Sequence, residues 1–160
     1  MVDEATVESV LQEINQLDEA SGNRIVEELG QKQPDLFAFV IAFSERFSPD
    51  ASGLAIYLFI AIYRMFEKTH GSIRRIRPGR IERGYDQTTK AIRSLEQTAE
   101  SFLDSPATTL GGDEPWVTKY VLDAIFEDAD PDHEIPEDDQ GRMFLLLHTV
   151  IDLLHDPKKE

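Results

Sequence analysis

From Leu54 to Phe66 the chain reads LAIYLFIAIYRMF, and Arg64 alone interrupts the apolar and aromatic run. A helix built from it has no face that can rest against water. At 100° per residue, Tyr57, Arg64 and Lys68 fall on one side, flanked by Glu67 and Ile60, so a single wet seam is expected. There the Arg64 guanidinium should reach solvent or pair with a carboxylate of a neighbouring helix, because burying an unpaired charge is too costly.

The preceding segment, Leu36 to Phe43 (LFAFVIAF), is also continuously apolar, with Pro34 suited to a first helical position and Asp35 beside it. Ser48-Pro49-Asp50 repeats that start signal with a cap serine, a proline and an acid. These two helices are expected to form a tight antiparallel hairpin over residues 34–69, the third helix nearly as buried as the fourth, and to make the core.

The flanking patterns are amphipathic. Val7, Val10, Leu11, Ile14 and Leu17 predict a helix from Asp3 to Glu19. Ser21-Gly22-Asn23 predicts a break, followed by a short helix through Ile25, Val26 and Leu29. Beyond the hairpin, Ile81, Tyr85, Thr88, Ile92, Leu95, Ala99 and Phe102 alternate steps of four and three, a heptad seam. That seam can pack lengthwise on the hairpin or against its own copy in a homodimer. The first is favoured, because the hairpin needs covering and Thr88 and Ala99 are weak zipper residues.

Residues 105–112 (SPATTLGG) form a loop by composition, and Asp113 is expected to cap a sixth helix through Trp116, Tyr120, Val121, Ile125 and Phe126. Pro136 and the acids after it open a last helix with an inward stripe of Met143, Phe144, Leu146, Leu147, Val150, Ile151 and Leu154. No internal repeat and no strand of useful length is visible. The expectation is one all-α domain over residues 1–160, a bundle of about seven helices around the buried hairpin.

Charge changes this picture more than composition does. Hydrophobic residues make up 41% and charged residues 29%, ordinary for a globular chain, but the net charge is −15. Such a surface repels phosphate backbones and anionic lipid, so nucleic acid is disfavoured as a partner and no membrane partner is expected. The longest uninterrupted apolar run, Leu54 to Tyr63, is ten residues, against the roughly 20 that span a bilayer. The first ten residues, MVDEATVESV, lack the features of a secretory signal, so a cytoplasmic location is the expectation. With no cysteine, disulfides, thiolate metal sites and a thiol nucleophile are excluded together.

Against that acidity stands one basic stretch. From Arg64 to Arg93 there are nine basic and three acidic residues, leaving −21 for the rest of the chain. Its centre, IRRIRPGRIERG, holds Arg74, Arg75, Arg77, Arg80 and Arg83 and no lysine. Guanidinium favours bidentate recognition of carboxylate or phosphate. The anion can be the protein's own acidic surface on the first or sixth helix, the acidic surface of a protein partner or second copy, or a phosphate or nucleic acid, in that order of preference.

Two metal readings were weighed. Asp128, Asp130 and Asp132 fit positions one, three and five of a calcium loop, with Ile135 at eight and Asp139 at twelve, which resembles an EF-hand. His133 stands where that loop needs glycine, Asp139 replaces its glutamate, and Pro131 and Pro136 stiffen it, so a solvated acidic linker is preferred. On the last helix His148, Asp152 and His155 occur at i, i+4 and i+7, donors suited to zinc, manganese or iron. No glutamate-x-x-histidine pair on another helix completes them, and a surface pair with a histidine near a helix C-terminus is the simpler reading. With no P-loop, nucleophile elbow or dinucleotide fingerprint, no cofactor is expected and an enzyme is the minority hypothesis. A protein-interaction or self-association module is the leading one.

Overall fold

The structure, a computed structural model, describes residues 1–96, 113–127 and 135–155. Seven α-helices account for most of these residues, and none of them is in a strand. They are α1 (Glu4–Asn15), α2 (Glu19–Lys32), α3 (Pro34–Ser44), α4 (Pro49–His70), α5 (Pro78–Glu96), α6 (Pro115–Leu122) and α7 (Glu137–His155). A π-helical turn, Asp123–Glu127, continues α6.

The expected all-α fold and the α3/α4 hairpin are present. Ser48 opens α4 as foreseen, its hydroxyl accepting the Ala51 N–H at 3.2 Å. The core, however, is centred on α4 and α7. Leu58, Phe59, Ile62, Met65 and Phe66 of α4 are buried with Met143, Phe144, Leu147, Val150 and Ile151 of α7. Around this pair, α4 also packs on α1 and α3, and α7 on α5, α6 and α3. Among the described residues no helix is long and apolar enough to cross a membrane.

α3 is less buried than its composition suggests. Leu36, Val40 and Ser44 form its only buried stripe, while Ala38 and Ala42 are exposed and Phe39 and Phe43 are half-covered. It lies at the edge of the bundle, where aromatic edge-to-face contacts stand in for a covering helix.

The α1/α2 boundary also differs from expectation. α1 ends at Asn15 and α2 begins at Glu19, running straight through Gly22. The Asp18 carboxylate accepts the Ser21 N–H at 2.7 Å. Such a cap contributes about 0.5–2 kcal/mol, comparable to or larger than the roughly 1 kcal/mol that an interior glycine costs. The cap therefore decides where the helix starts. At α6 the N-cap position is held by Glu114 instead of Asp113, because the Glu114 side chain is drawn into the core to accept the Val2 N–H at 2.9 Å.

The wet seam of α4 is as drawn from the wheel. Tyr57 is exposed, and Arg64 pairs with Glu13 of α1 at 2.6 Å and Glu67 at 2.9 Å. Lys68 meets the same Glu13 carboxylate at 2.9 Å. The Lys68 hydrogen bond first, and then Arg64, holds the Glu13 carboxyl below the usual glutamate range.

The heptad seam of α5 packs within the same chain, but chiefly on α7, where Thr88 meets Asp152, and only at Tyr85 and Ile81 on α3, instead of lengthwise on the α3/α4 hairpin as expected. Leu95 falls in its last turn and the later seam positions, Ala99 and Phe102, lie outside the described residues. At Gly84 α5 and α7 approach so closely that a Cβ would stand 2.9 Å from the Leu153 Cδ2.

Two predictions follow from this packing. Gly84→Val should overpack the α5/α7 contact and lower stability by about 1–3 kcal/mol. Gly22→Ala, where a Cβ meets nothing within 4 Å, should raise it by about 0.5–1 kcal/mol. Urea midpoints at unchanged slope check both. A third prediction concerns Glu13, whose lowered pKa gives stability that is full above the ordinary value of 4.5 and is lost as pH falls through the folded value. Glu13→Gln should cost up to about 1 kcal/mol at neutral pH. The gap to the unaltered protein should close below pH 4.5, read from melts across pH 3 to 7.

Candidate functional site: the arginine connection and its hollow

α4 ends at Gly71, whose φ of 78° and ψ of −150° place it in a region open to glycine and strained for other residues. From there residues 72–77 run without regular structure to α5. Ile73 and Ile76 turn inward and are buried, and the residues between and after them turn out, which sets Arg74, Arg75 and Arg77 on the surface.

A single side chain pins this segment. Gln33 is 0% exposed. Its amide nitrogen reaches the Arg74 carbonyl at 3.0 Å, the Ile73 carbonyl at 3.4 Å and the Tyr63 hydroxyl at 3.3 Å. Its amide oxygen accepts the Ile76 N–H at 2.9 Å. The glutamine thus replaces the strand or helix partners that the connection lacks, satisfying backbone groups that burial would otherwise orphan.

The five arginines divide by role. Arg75 makes two hydrogen bonds to Asp35, at 3.0 and 2.7 Å. As an exposed pair it adds at most about 1 kcal/mol. Arg80 donates to the Leu153 carbonyl at 2.9 Å, in the last turn of α7, where a cation suits the helix dipole. Arg74, Arg77 and Arg83 are exposed, and their side chains have no ion pair or hydrogen bond among the described residues. The Arg83 guanidinium lies back toward Gly79, where a Cβ would be 3.9 Å away. Lys90 and Arg93 continue this outer face of α5, whose exposed acids among the described residues are Glu82 and Asp86.

Beside the connection is an open hollow of about 460 Å³ between α3 and α5, lined by Asp35, Ala38, Phe39, Pro78, Ile81, Glu82 and Tyr85. Tyr85 stands edge-to-face to Phe39 and Phe43, both with centroids at 5.9 Å. The surface therefore offers exposed arginines on and beside a pinned backbone segment, near an aromatic recess.

The metal-site candidates are distributed differently. His148 Nδ1 lies 3.2 Å from the Asp152 carboxylate, which also accepts the Thr88 hydroxyl at 3.3 Å, beside α5. His155 instead meets Glu114 at 2.7 Å and Asp113 at 3.6 Å, at the start of α6. The three expected ligands are thus split between two places, and among the described residues no three His, Asp or Glu side chains converge as a metal site would require. Asp128, Asp130 and Asp132 lie outside the described residues. Asp139, the twelfth position of the calcium loop, is buried and accepts the Ser48 N–H at 2.9 Å.

Gln33 was not visible as a functional residue in the sequence. Its one signal is the following Pro34, which excludes helical backbone before it and ends α2 there. Comparison of the chain with protein families, curated proteins and solved structures finds no match.

Replacing Gln33 by leucine should strand the Ile76 N–H and the Arg74 carbonyl at a cost of about 1–3 kcal/mol. Amide exchange at Ile76 should accelerate more than at Val150 in the centre of α7, showing that the loss is local to the connection.

Proposed function

We propose that this chain is a non-enzymatic protein-interaction module that docks the acidic surface of a protein partner through Arg74, Arg77 and Arg83. The observation that carries the reading is three exposed arginines without partners in a chain of net charge −15. One of the remaining two is committed to Asp35 and the other to the α7 carbonyl. Isolated surface cations are ordinary, but these sit on or beside a segment fixed by a buried glutamine, so their positions are set before any partner arrives. The hollow nearby, aromatic but lined also by Asp35 and Glu82, has room for an uncharged apolar side chain of such a partner, whose carboxylates would meet the arginines outside it. A nucleic acid would meet the repulsion of the whole acidic surface.

The test uses a fluorescein-labelled peptide of about 12 residues that alternates glutamate with two phenylalanines, titrated by anisotropy. The unaltered protein should bind it, and the R74S/R77S/R83S variant should bind at least about tenfold more weakly. Equal binding by the variant, or tighter binding of single-stranded DNA than of the peptide at the same salt, would overturn the reading. Sedimentation velocity on both proteins decides whether a second copy serves as the partner: concentration-dependent association lost in the variant supports it, and a monomer throughout removes it.

A further inference from the structure

We infer that a second surface, the groove between α1, α2 and α4, is a docking site for a cationic amphipathic helix of a partner protein. The groove is open, about 350 Å³, and is walled by Ile14, Leu17, Ile25, Val26, Tyr57 and Ile60. Five of these six are half-covered, and Tyr57 is exposed, its hydroxyl donating to Asn15 at 3.3 Å. Several apolar side chains left partly wet in one concavity is the arrangement that a helix with anchors at i, i+3, i+4 and i+7 fills.

The charge of the occupant follows from the rim. Asp18 and Glu19 line the groove and no cation does. The C-terminus of α1 and the N-terminus of α2 meet there, and their dipoles, about half a charge each and opposite in sign, cancel. Two full negative charges remain. Beyond the rim, α1 and α2 expose Asp3, Glu4, Glu8, Glu27 and Glu28, against Arg24 and a Lys32 already paired with Glu67 at 3.4 Å. Ser21 hydrogen bonds hold the Asp18 carboxyl below its usual range, so it stays ionised on mild acidification. The exposed Tyr57 ring adds a face for a lysine or arginine of the occupant.

The chain's own basic face cannot be that occupant. Among its described side chains, the exposed side of α5 carries Glu82, Arg83, Asp86, Gln87, Lys90, Ala91 and Arg93, with nothing to fill an apolar groove. The site is therefore independent of the arginine surface proposed above.

The probe is a fluorescein-labelled peptide of about 14 residues with leucines at helical spacing and lysines elsewhere. Binding is measured by anisotropy and mapped by amide chemical shifts. Shifts confined to residues 14–26 and 57–60 are expected, with affinity falling at least about tenfold in Val26→Glu and in Glu19→Lys. The R74S/R77S/R83S variant should bind as the unaltered protein does. Should Val26→Glu perturb the fold, shown by circular dichroism, the exposed Glu19→Lys still decides. A lysine peptide with its leucines replaced by serine that binds equally well, or shifts spread over the acidic surface, would overturn the inference.

Discussion

A helix that tolerates water along one seam has to be surrounded, and α4 is that helix. Its buried side chains take up more than half of its circumference, and the remainder, centred on Tyr57, Arg64 and Lys68, includes the half-covered Ile56, Ile60 and Glu67. α7 covers one side and brings a stripe almost as wide, so the pair buries most of the largest side chains in the core. Four of the other helices are then placed by what remains uncovered, α1 and α3 against α4, α5 and α6 against α7, and α2 packs chiefly on α3. Even the wet seam is closed at its far end, where Glu13 of α1 meets Arg64 and Lys68 together. Partial exposure keeps those ion pairs weak, so they set register more than stability.

The same surrounding explains why an irregular segment is held so firmly. α4 ends at the bundle's edge, and the chain must return to start α5 across the bottom of α2 and α3. Buried backbone without a helix or strand needs partners from somewhere. Gln33, forced out of helical geometry by Pro34, occupies the point where α2, α3, α4 and the connection meet, and its amide can both donate and accept. A carboxylate there would accept but not donate, and a leucine would do neither. The placement of Arg74 and Arg77 is a by-product of burying Ile73 and Ile76 on either side.

What could be foreseen from the residues divides along the range of the interaction. The cores of α4 and α7 are legible because an apolar run with one polar seam has few alternatives. The α5 seam was legible as a pattern, but it was expected on the α3/α4 hairpin and lies chiefly on α7, because α7 already covers the side of α4 that the seam was to cover. The burial of α3 was overread, since eight apolar residues in succession do not say whether a neighbour covers one side or both. The α1/α2 boundary differs from the Ser21-Gly22-Asn23 break because the cap at Asp18, energetically the equal or larger effect, starts α2 ahead of Gly22. Contacts such as Gln33 to Ile76 and His155 to Glu114 join residues about 40 apart, and no local periodicity encodes them.

One question the charge pattern raises is why the arginines and the acidic helices of the same molecule do not simply neutralise each other. α2 supplies the scale. Its acidic start, Asp18 and Glu19, and its end at Lys32 beside the arginine connection are separated by 14 helical residues, about 20 Å. That is more than twice the screening length of roughly 8 Å at physiological salt. Charges so far apart across a rigid helix attract one another little, whereas Asp35, lying beside the connection, captures Arg75 directly. Of the five arginines from Arg74 to Arg83, Arg75 is the one that an acid captures among the described residues, while Arg80 turns to the Leu153 carbonyl. Arg74 and Arg77 are thus left near one end of α2, and the carboxylates Asp18 and Glu19 at the other.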